Sequence, residues 1–242
     1  MVAKVMFTTV VAVSVMVSSC SVKNICSGKC HDTFVSDTVT VKNFDAIAGS
    51  ATEIIYVTGS ERKVIYSACE QIADDVKIYV KKNKLIIDID DSRKNHELKC
   101  IVTGPKYISR IDIAGACHFK SSDDISSEDL EIHCSGASAV QLTGKTYIED
   151  LEIHCSGASN VSISNLEGED LESHASGASI ISLSGAMKTA EYYTSGTSRV
   201  MVENLQTKLM KADVSGASIL NGAAENVRKR VSGSSTINVK EL

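Results

Sequence analysis

"LEIHCSGASAV" (Leu130–Val140) returns 21 residues later as "LEIHCSGASNV" (Leu151–Val161), with ten of eleven positions identical. Looser copies continue to the end of the chain. Their shared marker is Ser-Gly-small-Ser, at 135–138, 156–159, 176–179, 195–198, 215–218 and 232–235. A weaker first copy is Ala114-Gly115-Ala116-Cys117, and Gly49 in "AIAGSA" reads as an older, degraded one. The central glycines are Gly115, Gly136, Gly157, Gly177, Gly196, Gly216 and Gly233, at steps of 21, 21, 20, 19, 20 and 17. A period near 20 residues is that of a solenoid; helical-pair repeats need about 33 or more. The Leu-x-x-Leu-x-Leu frame of leucine-rich repeats is absent. An all-β parallel β-helix with coils of about 20 residues remains.

Side-chain columns support that reading. Counted back from the glycine, positions −6, −4 and −2 are Leu130, Ile132 and Cys134, then Leu151, Ile153 and Cys155. Positions −5, −3 and −1 are Glu131, His133 and Ser135, then Glu152, His154 and Ser156, then Glu172, His174 and Ser176. This is period two, with one face inward and one outward. Positions +4 and +6 (Val140 and Leu142, Val161 and Ile163) predict a second inward strand after the turn. The glycine is then the corner, with φ above zero, and the small residue after it is expected to line the inside of the bend. Equivalent residues stack about 4.8 Å apart. One coil cannot bury its apolar face alone, so repetition is the geometric condition for a core.

The rest of the chain agrees with an all-β fold. The 242 residues are 43% hydrophobic with one proline, no tryptophan and 5% aromatic residues, so the core is built from aliphatic side chains. "TEIIYV", "RKVIYS", "DVKIYV" and "KLIIDID" alternate, and Lys81–Lys84 reads as a hairpin turn. No run after residue 20 has a convincing helical period. The net charge of −5 argues against nucleic acid as a partner. At the N-terminus, an apolar stretch from Val5 to Val17 precedes Ser18-Ser19-Cys20. That is the pattern of a bacterial lipoprotein signal cut before a lipidated Cys20; an ordinary secretory signal and an uncleaved anchor are the alternatives. The expected organisation is a signal peptide over 1–19, a lipidated tether over 20–37, an N-terminal β region over 38–108 packed onto the coils, and the repeats over 109–242. Lipidation at Cys20 implies a cell-envelope protein held to a membrane, with the outer membrane expected and the side it faces left open.

These residues resemble a known family. "LEIHCSGAS" twice, "LESHASGAS" (Leu171–Ser179) and "KADVSGAS" (Lys211–Ser218) are similar to the turn repeats of the bacterial DUF2807 family, described as a putative autotransporter adhesin, head GIN domain. "FDAIAGSATEIIYV" from Phe44 and "LKCIVTGPKYISRIDIAGA" from Leu98 resemble the family's lead-in and strand-Pro-strand junction. The similarity covers Val39 to Leu242. It implies a right-handed β-helix and an envelope location, and no established activity. One departure is position +3, where the family often has Asp; here it is Ala139, Asn160, Ile180, Arg199, Ile219 and Thr236.

The expected role is non-enzymatic: a rigid surface for adhesion or for binding a glycan or protein. A carbohydrate-active lyase or hydrolase and a ligand-free envelope scaffold are the alternatives. The candidate binding surface is the outward ladder Glu131, His133, Glu152, His154, Glu172 and His174. Its donors suit zinc or another divalent ion. Its plain reading is a solvated face copied with the repeat, and no metal site, catalytic residue or cofactor is assigned. Cys69 and Cys100 are a candidate disulfide. Cys134 and Cys155 share one inward column, as small apolar residues or as a bonded pair. Cys26–His31 ("CSGKCH") is one residue too long for haem attachment. The exposed end coils are candidates for a homo-oligomer contact.

Overall fold

A computed structural model describes residues 34–89 and 98–242. The signal region, Cys20 and the Cys26–His31 motif lie outside the described residues. Strands dominate, and one short 3-10 turn spans Glu70–Asp75.

The N-terminal strands are β1 (Phe34–Thr40), β2 (Ala46–Ser50), β3 (Glu53–Thr58), β4 (Lys63–Cys69), β5 (Val76–Lys81), β6 (Lys84–Ile89) and β7 (Leu98–Gly104). β5 and β6 form the expected hairpin. Lys82 and Asn83 at its tip have φ of 49° and 60°, the two left-handed residues that a two-residue hairpin of matching twist requires. β1 begins at Phe34, so the strand enters the stretch expected to be tether. Its first five side chains are exposed. Pairing with β4 makes it a strand, and without a buried face it carries no apolar period.

The repeats begin with β8 (Arg110–Ala114) and β9 (His118–Ser121), followed by β10 (Ile125–Cys134), β11 (Ala139–Leu142) and β12 (Thr146–Cys155). Longer strands that bend around a coil follow: β13 (Asn160–Ala175), β14 (Ile180–Thr194) and β15 (Arg199–Val214). The chain ends with β16 (Ile219–Ala224), β17 (Asn226–Val231) and β18 (Thr236–Glu241). All pairings among them are parallel and offset by one coil, so Leu130, Ile132 and Cys134 sit beside Leu151, Ile153 and Cys155. The fold is a parallel β-helix. Besides the two predicted sides, each coil has a third, around Thr146–Ile148 and Leu166–Gly168.

The N-terminal strands extend the stack out of chain order. β2–β3 pairs in parallel with β8–β9 on one side and with β6–β7 on the other. The first coil of the chain is therefore inserted between two later ones. Antiparallel strands close that end, β5 on β6 and β4 then β1 beyond β7. They cover edges that would otherwise template aggregation. At the other end β17 and β18 are largely exposed and carry Arg228, Lys229, Arg230 and Lys240, charges that discourage edge pairing.

All seven corner glycines have positive φ, between 67° and 79°. At each corner from Gly136 on, the next amide donates to the preceding corner's carbonyl, as Ala158 N–H does to Gly136 at 2.8 Å. The inner lining differs from expectation. The residue after the glycine (Ala137, Ala158, Ala178) is exposed, and the serine two positions on (Ser138, Ser159, Ser179, Ser198, Ser218) is fully buried. The chain has turned by then, and the side chain at +2 points back inside. The buried hydroxyls are satisfied, for example Ser159 on the Cys134 carbonyl at 3.3 Å and Ser218 on the Ser215 carbonyl at 2.8 Å. Gly49 is not a corner. It lies within β2 opposite Ile113, and Ala51, with φ of 47°, turns the chain beside Gly115.

The −4 column of the core runs Ile111, Ile132, Ile153, Ser173, Tyr192, Ala212, all buried. Two small residues flank the largest ring, which conserves volume along the stack. The Tyr192 hydroxyl is buried without a hydrogen-bond partner, and an unmade buried bond costs about 1–3 kcal/mol. Tyr192→Phe is therefore expected to stabilise the protein by about 1 kcal/mol; a lower thermal midpoint in the variant would contradict this.

The Cys69–Cys100 disulfide is not formed. β4 and β7 do pair, but in a register that sets Tyr66 opposite Cys100, three residues from Cys69, or about 10 Å along the strand. Cys69 is disulfide-bonded elsewhere. Cys100, Cys117, Cys134 and Cys155 are free and buried. Burial pushes the Cys100 and Cys117 thiols up to about 12, so they stay protonated at neutral pH.

Candidate functional site

In the strand before each corner, side chains alternate between core and solvent. Parallel register then turns each outward position into a column. One column reads Arg110, Glu131, Glu152, Glu172, Glu191, Lys211, Arg228. Its neighbour reads Asp112, His133, His154, His174, Tyr193, Asp213, Arg230. All six residues of the predicted ladder are thus brought together in two adjacent files, about 4.8 Å apart along each.

The columns are matched in charge up to the last coil. Where the first carries Arg110 or Lys211, the second carries Asp112 or Asp213, and in the last coil Arg228 stands beside Arg230. In the three coils between Arg110 and Glu191, Glu faces His. His154 Nε2 lies 2.5 Å from Glu152 Oε1, His174 Nε2 lies 2.8 Å from Glu172 Oε1, and His133 is paired likewise with Glu131. The rings form a file of their own. Centroids are 4.7 Å apart for His133–His154, 4.9 Å for His154–His174 and 4.8 Å for His174–Tyr193.

Ion pairs close both ends. Arg110 binds Asp112 Oδ1 through Nε at 2.7 Å and pairs with Glu131 through Nη1; Lys84 pairs with Asp112. At the far end Lys211 Nζ donates to Glu191 at 2.6 Å and lies 2.9 Å from the Tyr193 hydroxyl. The Lys211 and Tyr193 hydrogen bonds hold the Glu191 carboxyl below the usual carboxylate range. The Arg110 and Lys84 pairs are half-buried, whereas the Lys211 pairs are exposed and screened, so the latter orient side chains more than they stabilise the fold.

Two further acid columns flank the ladder, and the period-two reading of the sequence misses them. Glu128-Asp129-Leu130-Glu131, Glu149-Asp150-Leu151-Glu152 and Glu169-Asp170-Leu171-Glu172 repeat one block three times, and its two leading acids are exposed. The repeated "EDLE" is the available signal. It sits where one side of the coil bends into the next, off the simple alternation. An open groove of about 540 Å³ runs along this face, lined by Asp129, Glu131, Asp150, Glu152, Asp170 and Glu172 among others. Among the described residues, one cluster gathers metal-type donors: ligand atoms of Glu131, His133 and His154 lie within 4.8 Å of one another.

A capped β-solenoid with a periodic, charged outer face defines the class: a rigid rod that displays the same side chains at each coil. The chain belongs to the DUF2807 family, "Putative auto-transporter adhesin, head GIN domain", whose model matches residues 43–242. No curated protein matches the sequence. Solved structures share the fold. A "putative lipid binding protein" from Parabacteroides distasonis ATCC 8503 aligns with a TM-score of 0.75 at 15% identity, over 87% of this chain and 98% of that one. A "putative adhesin" from Parabacteroides merdae ATCC 43184 aligns at 0.73 and 17%, over 87% and 98%. Another from Bacteroides fragilis NCTC 9343 aligns at 0.64 and 16%, over 88% and 99%.

Proposed function

We propose that this chain is a cell-envelope protein, anchored by lipid at Cys20, whose solenoid face binds a repeating partner, a glycan or a protein, without chemical turnover. The observation that carries the proposal is the in-register set Glu-Asp-x-Glu-x-His on three successive coils. Identical groups at one fixed spacing suit a ligand that is itself repetitive, because weak contacts then add through avidity. A glycosidase needs two carboxyls set about a single sugar bond, their environments pushing their pKa values apart, and the carboxylates here stand in regular files along the coils. The acid columns favour a partner bearing positive charge. The "adhesin" descriptions of the family and of two similar structures agree with this reading.

The test is a glycan and protein array probed with the chain from residue 21 on, alongside the variant Asp150→Asn/Glu152→Gln. Binding without product, weakened in the variant and by salt, is the expected result. Product release from a polysaccharide, abolished in the variant, would establish the carbohydrate-active reading instead. Labelling of cells with a fatty-acid analogue tests the anchor: wild type incorporates it and Cys20→Ser does not.

A further inference from the structure

We propose that Glu131, His133 and His154 bind a zinc-like transition-metal dication that clips two neighbouring coils together. Two imidazoles and one carboxylate form a donor set suited to such ions, with positions left for water. The register sets His133 beside His154 and fixes the spacing of their backbones. The orientation of the rings then selects the pair. His133 and His154 are tilted by 54°, so their in-plane lone pairs can converge on one point. His154 and His174 are near parallel, at 10°, with ring centroids 4.9 Å apart, so their lone pairs stay in separate planes.

The carboxylate is already held in place. One Glu131 oxygen is taken by Arg110, which Asp112 orients in turn; the other meets His133 Nε2. Asp112 and Arg110 face the site from one side, Glu152 and His174 from the other. Glu131, Glu152, Glu172 and Glu191 form a file of like charges with Arg110 and Lys211 only at its two ends. Like charges stacked directly are destabilising, and a dication within the file relieves this. The inference does not rest on the adhesive reading.

Titrating the full chain with Co²⁺, then displacing it with Zn²⁺, tests the site. One Co²⁺ per chain is expected, with visible d–d bands and without the thiolate charge-transfer band that cysteine ligation would add. His154→Ala should weaken binding by about tenfold or more. His174→Ala should leave the spectrum and affinity nearly unchanged. Zn²⁺ should raise the thermal midpoint of the wild type and of His174→Ala but not of His154→Ala. Three results would overturn the proposal: a dissociation constant weaker than about 1 mM in the wild type, thiolate bands, or equal losses in the two histidine variants.

Discussion

Gly157→Ala is expected to destabilise this protein by about 3 kcal/mol or more, and Gly115→Ala by about 1–2 kcal/mol, although both glycines occupy the same corner of the coil. Both positions have left-handed φ, 73° and 67°, and an alanine pays about 1–2 kcal/mol for that conformation anywhere. The difference lies in the neighbour. A Cβ on residue 157 would stand 2.7 Å from the Gly136 carbonyl oxygen, which the Ala158 amide holds in place. Relief requires the coils to part. A Cβ on residue 115 meets nothing closer than the Ala51 nitrogen, at 3.8 Å. There the preceding corner is Ala51 itself, and the chain already tolerates an alanine at φ of 47°. Thermal or urea midpoints of the two variants decide the matter; equal losses would mean that strain alone, without the coil-to-coil clash, sets the cost.

Phe119→Ala is expected to cost about 3–5 kcal/mol, the range for a buried aromatic ring. Phe119 is fully buried, between Ile54 of the inserted coil and Val140 of the next. Its ring stacks on Tyr56 at 5.8 Å, and the Tyr56 hydroxyl donates to the Pro105 carbonyl at 2.5 Å. Removing the ring takes away the packing that joins β3 to β9. The loss should therefore be uneven. Amide exchange should rise across β2, β3, β6 and β7 while β13–β15 keep their protection, because solenoid coils contact only their neighbours. Uniform loss of protection along the whole rod would contradict this account.

The repeat makes the candidate site legible in the chain itself. Glu131, His133 and their copies are one period apart, and a solenoid converts one period into one coil spacing. The acid columns at Glu128 and Asp129 are less legible, because a bend between two sides of a coil obeys no period of two. The buried serine at +2 reads as part of a turn signature; only the path of the chain shows that it faces inward.

The sequence by itself determined the solenoid: the recurring glycine dictates the corner, and alternation on both sides of it dictates which face is buried. Local rules suffice there, because each coil repeats the last. Tertiary structure alone decided the order of the N-terminal coils, the corner at Ala51 and the exclusion of Cys100 from a disulfide with Cys69. Each depends on which distant strands share hydrogen bonds and in what register, and no periodicity in the chain encodes a pairing that occurs once.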